Sequence, residues 1–195
     1  MSSQPKRVGF FLLAGYDLNM EIKKNIPLAQ YTTFRIGGAA KFFVEAKDEE
    51  EILGALKFAQ KKNLPVFVLG GGSNILVSGQ GFSGLVIKIR NTKYEIRNTI
   101  VECGAGCLLS KIVSESVKAG LTGLEWAAGI PGTIGGAVRG NAGAFGSSMA
   151  EMVENVRVLE NPNLSKVRPF VQGSTFPLAD KSANSSRSNL KVARM

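Results

Sequence analysis

Hydrophobic and polar positions along this chain follow two periods, and each period predicts a different element. Residues 48–62 carry an apolar stripe at helical spacing, with acids in the first turn and lysines in the last. Asp48 is placed to cap this helix, and Glu51 occupies the capping-box position. Residues 108–119 predict a second amphipathic helix, and Gly120 is placed to end it in the left-handed conformation.

The β-type runs around these helices are short. We predict strands over residues 41–46, 66–69, 84–89, 100–103 and 153–160. The first two strands and the helix between them form a βαβ unit, for which a right-handed crossover is expected. Residues 91–98 are polar and are predicted to form a turn region around Tyr94 and Ile96.

These elements divide the chain into four segments. Residues 1–19 show no clear element and form an uncertain leader, because Met20 begins a fresh structured run. Residues 20–90 and 91–160 are expected to form two α+β subdomains. Residues 161–195 are rich in Ser, Asn, Lys and Arg and lack an apolar period, so we expect a poorly ordered tail.

The composition removes several classes of site. The chain has no histidine, which excludes His-based catalytic triads, His metal sites and attachment of a cofactor through His. Cys103 and Cys107 lack Cys-x-x-Cys spacing and are predicted to be two partly buried thiols. We therefore expect no metal site.

The net charge of +9 does not indicate nucleic-acid binding. Residues 161–195 hold six Lys/Arg and one acid, which leaves the rest of the chain only mildly basic, as suits a phosphate-bearing ligand. No apolar run is long enough to span a membrane. The short apolar run at residues 7–14 is followed by no cleavage pattern, so we expect a cytoplasmic protein.

Three consecutive glycines, Gly70, Gly71 and Gly72, come directly after a predicted strand. Successive backbone N–H groups in such a turn can face one point and form a nest for an anion such as pyrophosphate. Ser73 and Asn74 add side-chain donors. The loop has neither the Walker nor the Rossmann fingerprint, and the alternative is a tight turn between two strands.

Residues 129–146 form a second glycine-rich stretch, which carries almost no charge. Its glycines are separated by Ile130, Ile134, Val138 and Phe145, unlike those of a wet Gly/Ser linker. Ordering so many glycines costs backbone entropy, which a large planar cofactor filling the gap would offset. The alternative is a glycine-rich crossing between close-packed elements. We expect the two stretches to hold one cofactor between them.

Three other residues in or beside the second stretch each have two interpretations. Arg139 meets a phosphate or faces solvent. Trp126 abuts the cofactor or packs in the core. Glu125 is an acid/base candidate or a solvated or hydrogen-bonded carboxylate.

Together these motifs resemble the N-terminal half of the UDP-N-acetylenolpyruvoylglucosamine reductase family. The resemblance runs from about Asn25 to Glu160, and its motifs lie at residues 31–38, 69–77, 123–125, 129–137 and 141–146. It implies an α+β FAD-binding domain of the vanillyl-alcohol-oxidase (PCMH) type, with FAD between two α+β subdomains. It also implies NADPH as electron donor and an enolpyruvyl-UDP-sugar of peptidoglycan synthesis as substrate.

By this resemblance, Gly70, Gly71, Gly72, Ser73 and Asn74 bind the FAD pyrophosphate. The flavin side is lined by Ile130, Pro131, Gly132, Gly135, Gly136, Asn141, Gly143 and Gly146. Catalysis in the family also uses an arginine in a Tyr-Arg-x-Ser motif, a serine acid and a glutamate. This sequence has no tyrosine after Tyr94 and its last residue is Met195, so we assign no catalytic residue.

We therefore expect the FAD-binding part of a reductase, truncated and weak or inactive alone. One hypothesis is that the sequence after Glu160 arises from a frameshift or a wrongly assigned gene end. The alternatives are a non-catalytic flavin-binding module, one half of a split enzyme that acts with a partner chain, or another flavoprotein oxidase or dehydrogenase with this type of FAD domain.

Overall fold

The computed structural model describes residues 20–159, 170–177 and 179–180. The chain divides into two compact units. Among the described residues, unit 1 comprises residues 20–69 and 75–88, and unit 2 comprises residues 70–74, 89–159, 170–177 and 179–180. The first glycine loop therefore belongs to unit 2, although it lies within the predicted first subdomain. The predicted leader, residues 1–19, lies outside the described residues.

Unit 1 is built on a four-stranded sheet, with the order β1-β2-β4-β3 among the described residues. Its elements are β1 (Lys23–Pro27), a 3-10 helix (Leu28–Tyr31), β2 (Ala39–Ala46), α1 (Glu49–Lys61), β3 (Val66–Leu69) and β4 (Phe82–Ile89). Strand β1 pairs antiparallel with β2, and β3 pairs parallel with β4. One core cluster of this unit comprises Leu28, Ala40, Phe43, Leu69 and Val86.

Helix α1 begins and ends where its sequence predicts. Asp48 Oδ1 accepts a hydrogen bond from the backbone N–H of Glu51 at 2.9 Å. Glu51 Oε2 in turn accepts one from the N–H of Lys47 at 2.7 Å, one residue earlier than in the usual capping box. Two amides at the start of the helix are thereby satisfied. The predicted cap is confirmed.

The parallel pairing of β3 with β4 decides what the first glycine loop connects. Val66 lies opposite Leu85, and the register continues to Leu69 opposite Lys88. A tight turn joins antiparallel neighbours, whereas parallel neighbours need a crossover connection. The tight-turn alternative for residues 70–74 is therefore wrong. The predicted order of strand, helix and strand is present, but β4 lies between β2 and β3 in the sheet.

Unit 2 contains a second four-stranded sheet among the described residues, antiparallel throughout, with the order β10-β11-β6-β5. The described strands of unit 2 as a whole are β5 (Tyr94–Arg97), β6 (Ile100–Gly104), β7 (Leu121–Thr122), β8 (Gly143–Ala144), β9 (Ser147–Ser148), β10 (Asn155–Leu159), β11 (Phe170–Pro177) and β12 (Ala179–Asp180). Its helices are α2 (Leu109–Lys118), a 3-10 helix (Glu125–Ala127), α3 (Ile134–Arg139) and α4 (Met149–Met152). Its main core cluster includes Val101, Leu109, Ile112, Leu124, Ile134 and Met149.

Three segments of unit 2 differ from the sequence prediction. Residues 94–97 form strand β5 instead of a turn, because they pair with the edge of β6, where Ile96 lies opposite Val101. Strands β11 and β12 lie where a poorly ordered tail was expected, and that expectation is wrong for residues 170–177 and 179–180. The other residues of the predicted tail lie outside the described ranges. The third difference is helix α3, inside the second glycine stretch.

Strand β11 forms for a reason that lies outside its own sequence. It pairs with β10 on one side and with β6 on the other. Both neighbours present unpaired backbone groups that a strand between them can satisfy. Long-range pairing therefore supplies the order that the local apolar pattern does not predict.

Candidate functional site

The two glycine-rich stretches contact each other directly within unit 2. The hydroxyl of Ser73 donates a hydrogen bond to the carbonyl oxygen of Pro131 at 3.0 Å. A Cβ on Gly71 would lie 2.9 Å from the Cα of Gly132, and one on Gly70 would lie 2.6 Å from Oγ1 of Thr133. The loops approach so closely that neither glycine has room for a side chain. The stretches therefore lie side by side, and it stays a prediction that they hold one cofactor between them.

The first loop leaves a run of backbone donors unused. Within the part of the chain that the structure describes, the N–H groups of residues 71–74 have no hydrogen-bond acceptor. The same is true of the N–H groups of Gly132 and Thr133, which belong to the contacting part of the second stretch. Gly72 (φ 72°) and Gly132 (φ 126°) adopt backbone conformations that favour glycine. Unused amides from two touching loops are a suitable cradle for a pyrophosphate.

Helix α3 does not contribute free amides from its first turn. Thr133 caps the helix, with its Oγ1 accepting from the N–H of Gly136 at 3.4 Å. The first two amides of the helix donate to carbonyl oxygens of the β6–α2 turn. The N–H of Ile134 donates to Cys107 O and the N–H of Gly135 donates to Ala105 O, both at 2.9 Å. A Cβ on Gly135 would lie 2.7 Å from the Cβ of Ala105. At Gly135 the glycine is thus explained by close packing.

The hairpin β8–β9 accounts for two more of the candidate residues. Asn141 Oδ1 accepts a hydrogen bond from the N–H of Ala150 at 2.9 Å, at the start of α4. A Cβ on Gly143 would lie 2.8 Å from the carbonyl oxygen of Ser147, across the hairpin. The side chain of Asn141 and the bare Cα of Gly143 thus support the hairpin itself.

The remaining candidates of the second stretch fall into two groups. Ile130 packs against the core cluster of unit 2 and is partly buried. Pro131 and Gly136 are exposed, and the nearest atom to a Cβ on Gly136 would be Thr133 Oγ1 at an ordinary 3.5 Å. Gly146 (φ 82°) lies in the hairpin turn with open space around it. Gly136 and Gly146 are therefore free to face a ligand.

The structure distinguishes the two interpretations clearly for Glu125, but less clearly for Arg139 and Trp126. Glu125 accepts hydrogen bonds at 2.6 Å from the Thr122 hydroxyl and from the Gly123 N–H, which supports the hydrogen-bonded interpretation. Arg139 is exposed at the end of α3 and has no partner among the described residues. Trp126 packs against the core, yet its buried indole N–H has no described acceptor.

The turn between β6 and α2 supports the second stretch, which sequence reasoning did not anticipate. Cys107 lies in this turn and Cys103 in β6; both are free thiols as predicted, but they are fully rather than partly buried. A hydrogen bond from Cys103 to Cys107, followed by burial, raises the pKa of the Cys103 thiol, and the same bond lowers the pKa of Cys107. One sequence feature could have predicted helix α3. Thr133 is a helix-capping residue directly before the helical run 134–139, although the glycines in that run lower its helix propensity.

Two other features of the described residues bear on the class of site. No group of three or more Cys, Asp or Glu side chains is placed there to hold a metal ion. No helix in the described ranges is long and apolar enough to cross a membrane.

A sequence model of the FAD binding domain matches residues 40–163, which is more than half of the chain. The chain belongs to the FAD binding domain family. The match includes both glycine stretches and the turn that supports the second one. The unused amides and the absent side chains fit this cofactor class, because a pyrophosphate needs donors and close backbone approach.

Two relatives of this FAD binding domain share one name. The chain is 39% identical over 163 residues to the UDP-N-acetylenolpyruvoylglucosamine reductase of Parasynechococcus marenigrum (strain WH8102), covering 82% of this chain and 52% of that protein. It is 44% identical over 144 residues to the reductase of Trichormus variabilis (strain ATCC 29413 / PCC 7937), covering 72% of this chain and 44% of the relative. The chain spans about half the length of the relatives it matches.

Two solved structures are also similar to this chain. The crystal structure of the UDP-N-acetylenolpyruvylglucosamine reductase from Thermus caldophilus matches with a TM-score of 0.70 and 30% identity, over 83% of this chain and 64% of that one. Cholesterol oxidase from Brevibacterium sterolicum matches with a TM-score of 0.64 at 13% identity, over 88% and 40% of the two chains, and shows the fold alone. The predicted α+β fold of the vanillyl-alcohol-oxidase type is confirmed.

Proposed function

We propose that this chain is the FAD-binding part of a cytoplasmic, NADPH-dependent UDP-N-acetylenolpyruvoylglucosamine reductase. The enzyme would convert UDP-N-acetylglucosamine enolpyruvate to UDP-N-acetylmuramate for peptidoglycan synthesis. The names of the relatives support the substrate class. The observation that carries the proposal is the direct contact between two glycine stretches whose amides are unused.

The residues of the two stretches have distinct roles in this proposal. Gly71, Gly72, Ser73 and Asn74 would present their N–H groups to the pyrophosphate, together with those of the contacting segment 132–133. Gly70 keeps the loops close, since it leaves room for Thr133. Gly136 and Gly146 would offer bare backbone to the flavin side. Pro131 ties the loops together, whereas Ile130, Gly135, Asn141 and Gly143 fix the shape of the second stretch.

When bound, FAD supplies the hydride chemistry between NADPH and the enolpyruvyl group. The described residues around the loops offer no obvious proton donor for that reaction. The carboxylate of Glu125 is held by Thr122 and Gly123, and the hydroxyl of Ser73 is directed at Pro131. We therefore propose that this chain binds FAD but does not reduce the enolpyruvyl substrate alone.

A comparison of two ligands tests the cofactor site. The purified 195-residue chain is titrated with FAD and, separately, with riboflavin, which has the same ring system but no pyrophosphate. We expect FAD to bind with a yellow absorbance band and quenched flavin fluorescence, and riboflavin to bind at least tenfold more weakly. Equal affinity for the two ligands would refute the role of the loop amides, and no binding of FAD would refute the proposed function.

A second experiment tests whether the FAD-loaded chain reduces the enolpyruvyl substrate by itself. The FAD-loaded chain is supplied with NADPH and the enolpyruvyl-UDP-sugar, and NADPH oxidation is followed by absorbance. We expect no substrate-dependent oxidation. Turnover at the rate of a complete reductase assayed in parallel would show that the proton donor lies within this chain. Activity that appears only when a second polypeptide is added would favour a split enzyme.

A further inference from the structure

The two four-stranded sheets of the described chain have four outer strands, and three of these carry features that oppose pairing with another strand. Strand β1 contains Lys24 and ends at Pro27. Strand β5 carries an ion pair, with Arg97 Nε 2.6 Å from Glu95 Oε1. The register of β10 with β11 shifts at Arg157, as at a β-bulge. Charges, proline and bulges are the usual means by which a sheet edge avoids further pairing.

The fourth outer strand, β3, has none of these features. Its sequence is Val-Phe-Val-Leu, without a charge or a proline, and its register with β4 is regular. Phe67 is 38% exposed, and Val66 and Val68 are half-buried. Its one described neighbour in the sheet is β4. An apolar strand at an unprotected edge is a site for pairing with a further strand.

The backbone groups that face outward from β3 follow from its pairing with β4. The N–H of Leu85 donates to the carbonyl oxygen of Pro65 at 2.9 Å, and Val66 lies opposite Leu85. In a parallel ladder with this register, the N–H and C=O groups of Phe67 face β4, and those of Val66 and Val68 face away. Among the described residues, neither valine has a backbone partner on that outer side. The edge therefore offers two donors and two acceptors at the spacing of a strand.

These outward groups are arranged so that β3 is complementary to a second copy of itself. When two copies run antiparallel about a two-fold axis at Phe67, Val66 of each copy lies opposite Val68 of the other. Each such pair of valines exchanges two N–H···O=C hydrogen bonds, so every outward group of these residues gains a partner. Phe67 then lies opposite its own counterpart, in a position where cross-strand aromatic side chains contact each other.

The distribution of charge favours this partner over the other outer strands. A second copy that offered β1, β5 or β10 would bring Lys24, Glu95 or Arg157 beside the apolar side chains of β3, where charged groups lose hydration. Pairing of β3 with its own copy buries no charge. The contact is also isologous, so it closes after two chains, whereas pairing of two different edges could continue into a filament.

We propose that this chain forms a two-fold dimer through β3, in which the unit 1 sheets of two copies join into one continuous sheet. The contact uses Val66, Phe67 and Val68, none of which is assigned to the proposed FAD site. The dimer is therefore independent of the proposed function. Because β3 is only four residues long, the interface is small and the fraction of dimer depends on protein concentration.

Opposite charges placed at the two-fold axis test the register. The unaltered chain, Phe67→Lys and Phe67→Glu are examined by sedimentation over a range of protein concentrations, with and without added FAD. We expect the unaltered chain to dimerise and the association constant of each variant alone to fall at least about tenfold, because like charges lie opposite each other. An equal mixture of the two variants should recover the dimer, since position 67 of one copy lies opposite position 67 of the other.

Val68→Pro tests the hydrogen bonds separately and replaces the Phe67 variants if those do not fold. Proline removes an N–H that faces away from β4, so the sheet of unit 1 keeps its own ladder while the outer edge loses a donor on each copy. We expect this variant to sediment as a single chain. Val68→Thr keeps both the N–H group and the β-branched shape, so it should still form the dimer.

Leu76→Lys is the matched control, because Leu76 is 73% exposed in the same unit and lies outside β3. It should associate as the unaltered chain does. An unaltered chain that stays single at every concentration would overturn the proposed dimer and leave the edge to a strand of another polypeptide. A dimer that persists in Val68→Pro, that is lost in Leu76→Lys, or that the mixed Phe67 variants do not recover would also overturn it. None of these outcomes alters the FAD titrations, which test the proposed function by themselves.

Discussion

The two glycine stretches look alike in sequence, but the structure uses them differently. In the first loop, the amides of residues 71–74 are unused, while Gly70 and Gly71 leave room for the neighbouring loop. From Ile134 onward, the second stretch is bonded mainly to its own unit, through the amides of α3 and the base of its hairpin. Glycine richness therefore has two causes here. One is close packing within the chain, and we propose that the other is the supply of backbone donors to a ligand.

The largest expected effect comes from separating the two stretches. In Gly71→Ala, the added Cβ would lie 2.9 Å from the Cα of Gly132 and 3.3 Å from its carbonyl carbon, so the backbones must move apart. We expect FAD affinity to fall about 100-fold, equivalent to roughly 2.7 kcal/mol, measured by fluorescence titration. Gly129→Ala is the control, because its Cβ would meet nothing within 4 Å. Equal affinities for the two variants would contradict the contact.

The second prediction tests packing in the other stretch. In Gly135→Ala, the new Cβ would lie 2.7 Å from the Cβ of Ala105, so we expect the free energy of unfolding to fall by roughly 1–3 kcal/mol. Urea denaturation of the ligand-free protein measures this change. The double variant Gly135→Ala/Ala105→Gly removes the nearest clashing atom and should recover part of the loss. A neutral Gly135→Ala would show that this glycine is not required for packing.

A smaller effect is expected for the hydrogen bond that joins the stretches. Ser73→Ala removes the donor to the Pro131 carbonyl oxygen, so we expect a loss of about 1 kcal/mol and a FAD affinity about fivefold lower. Ser73→Thr retains the hydroxyl and should bind nearly as well as the unaltered chain. Ser110→Ala, at an exposed serine of α2, controls for loss of a hydroxyl elsewhere in the unit. Ser73→Ala that matches Ser110→Ala would exclude a role for this bond.

The smallest effect concerns Gly136, whose added Cβ would make only an ordinary contact, 3.5 Å from Thr133 Oγ1. Ala has a higher helix propensity than Gly, so Gly136→Ala should raise the unfolding free energy of the ligand-free protein by roughly 0.5–1 kcal/mol. We expect FAD affinity to fall a few-fold, because the methyl group would cover bare backbone on the proposed flavin side. Parallel urea denaturation and FAD titration measure the two changes. Unchanged affinity together with increased stability would place Gly136 away from the ligand.

Local sequence was a good guide wherever an element carries its own start and stop signals. Helix α1 has Asp48 and Glu51 at its beginning, and α2 ends at Lys118, with Ala119 as its C-cap before Gly120 (φ 75°), so both helices lie close to their predicted bounds. Strand β3 matches its predicted range, residues 66–69. These signals act within a few residues, so they survive without knowledge of the rest of the fold.

Sequence alone was a poor guide where an element depends on distant partners. Strand β5 is polar and forms because β6 offers an edge, with Glu95 opposite Glu102 and Ile96 opposite Val101. Helix α3 contains Gly135 and Gly136, which lower helix propensity, yet Thr133 caps it and the β6–α2 turn accepts its first amides. Neither partner can be identified from the local pattern.

By itself, the sequence determined the α+β elements with clear caps, the two glycine stretches and the exclusion of His chemistry. Only the tertiary structure decided which glycines face each other, which amides stay unused and that the apolar strand β3 lies at a sheet edge. The physical reason is that a glycine records the absence of a side chain without naming what fills the space. The backbone of Gly132 fills it at Gly71 and Ala105 fills it at Gly135, and we propose that FAD does so at Gly136 and Gly146.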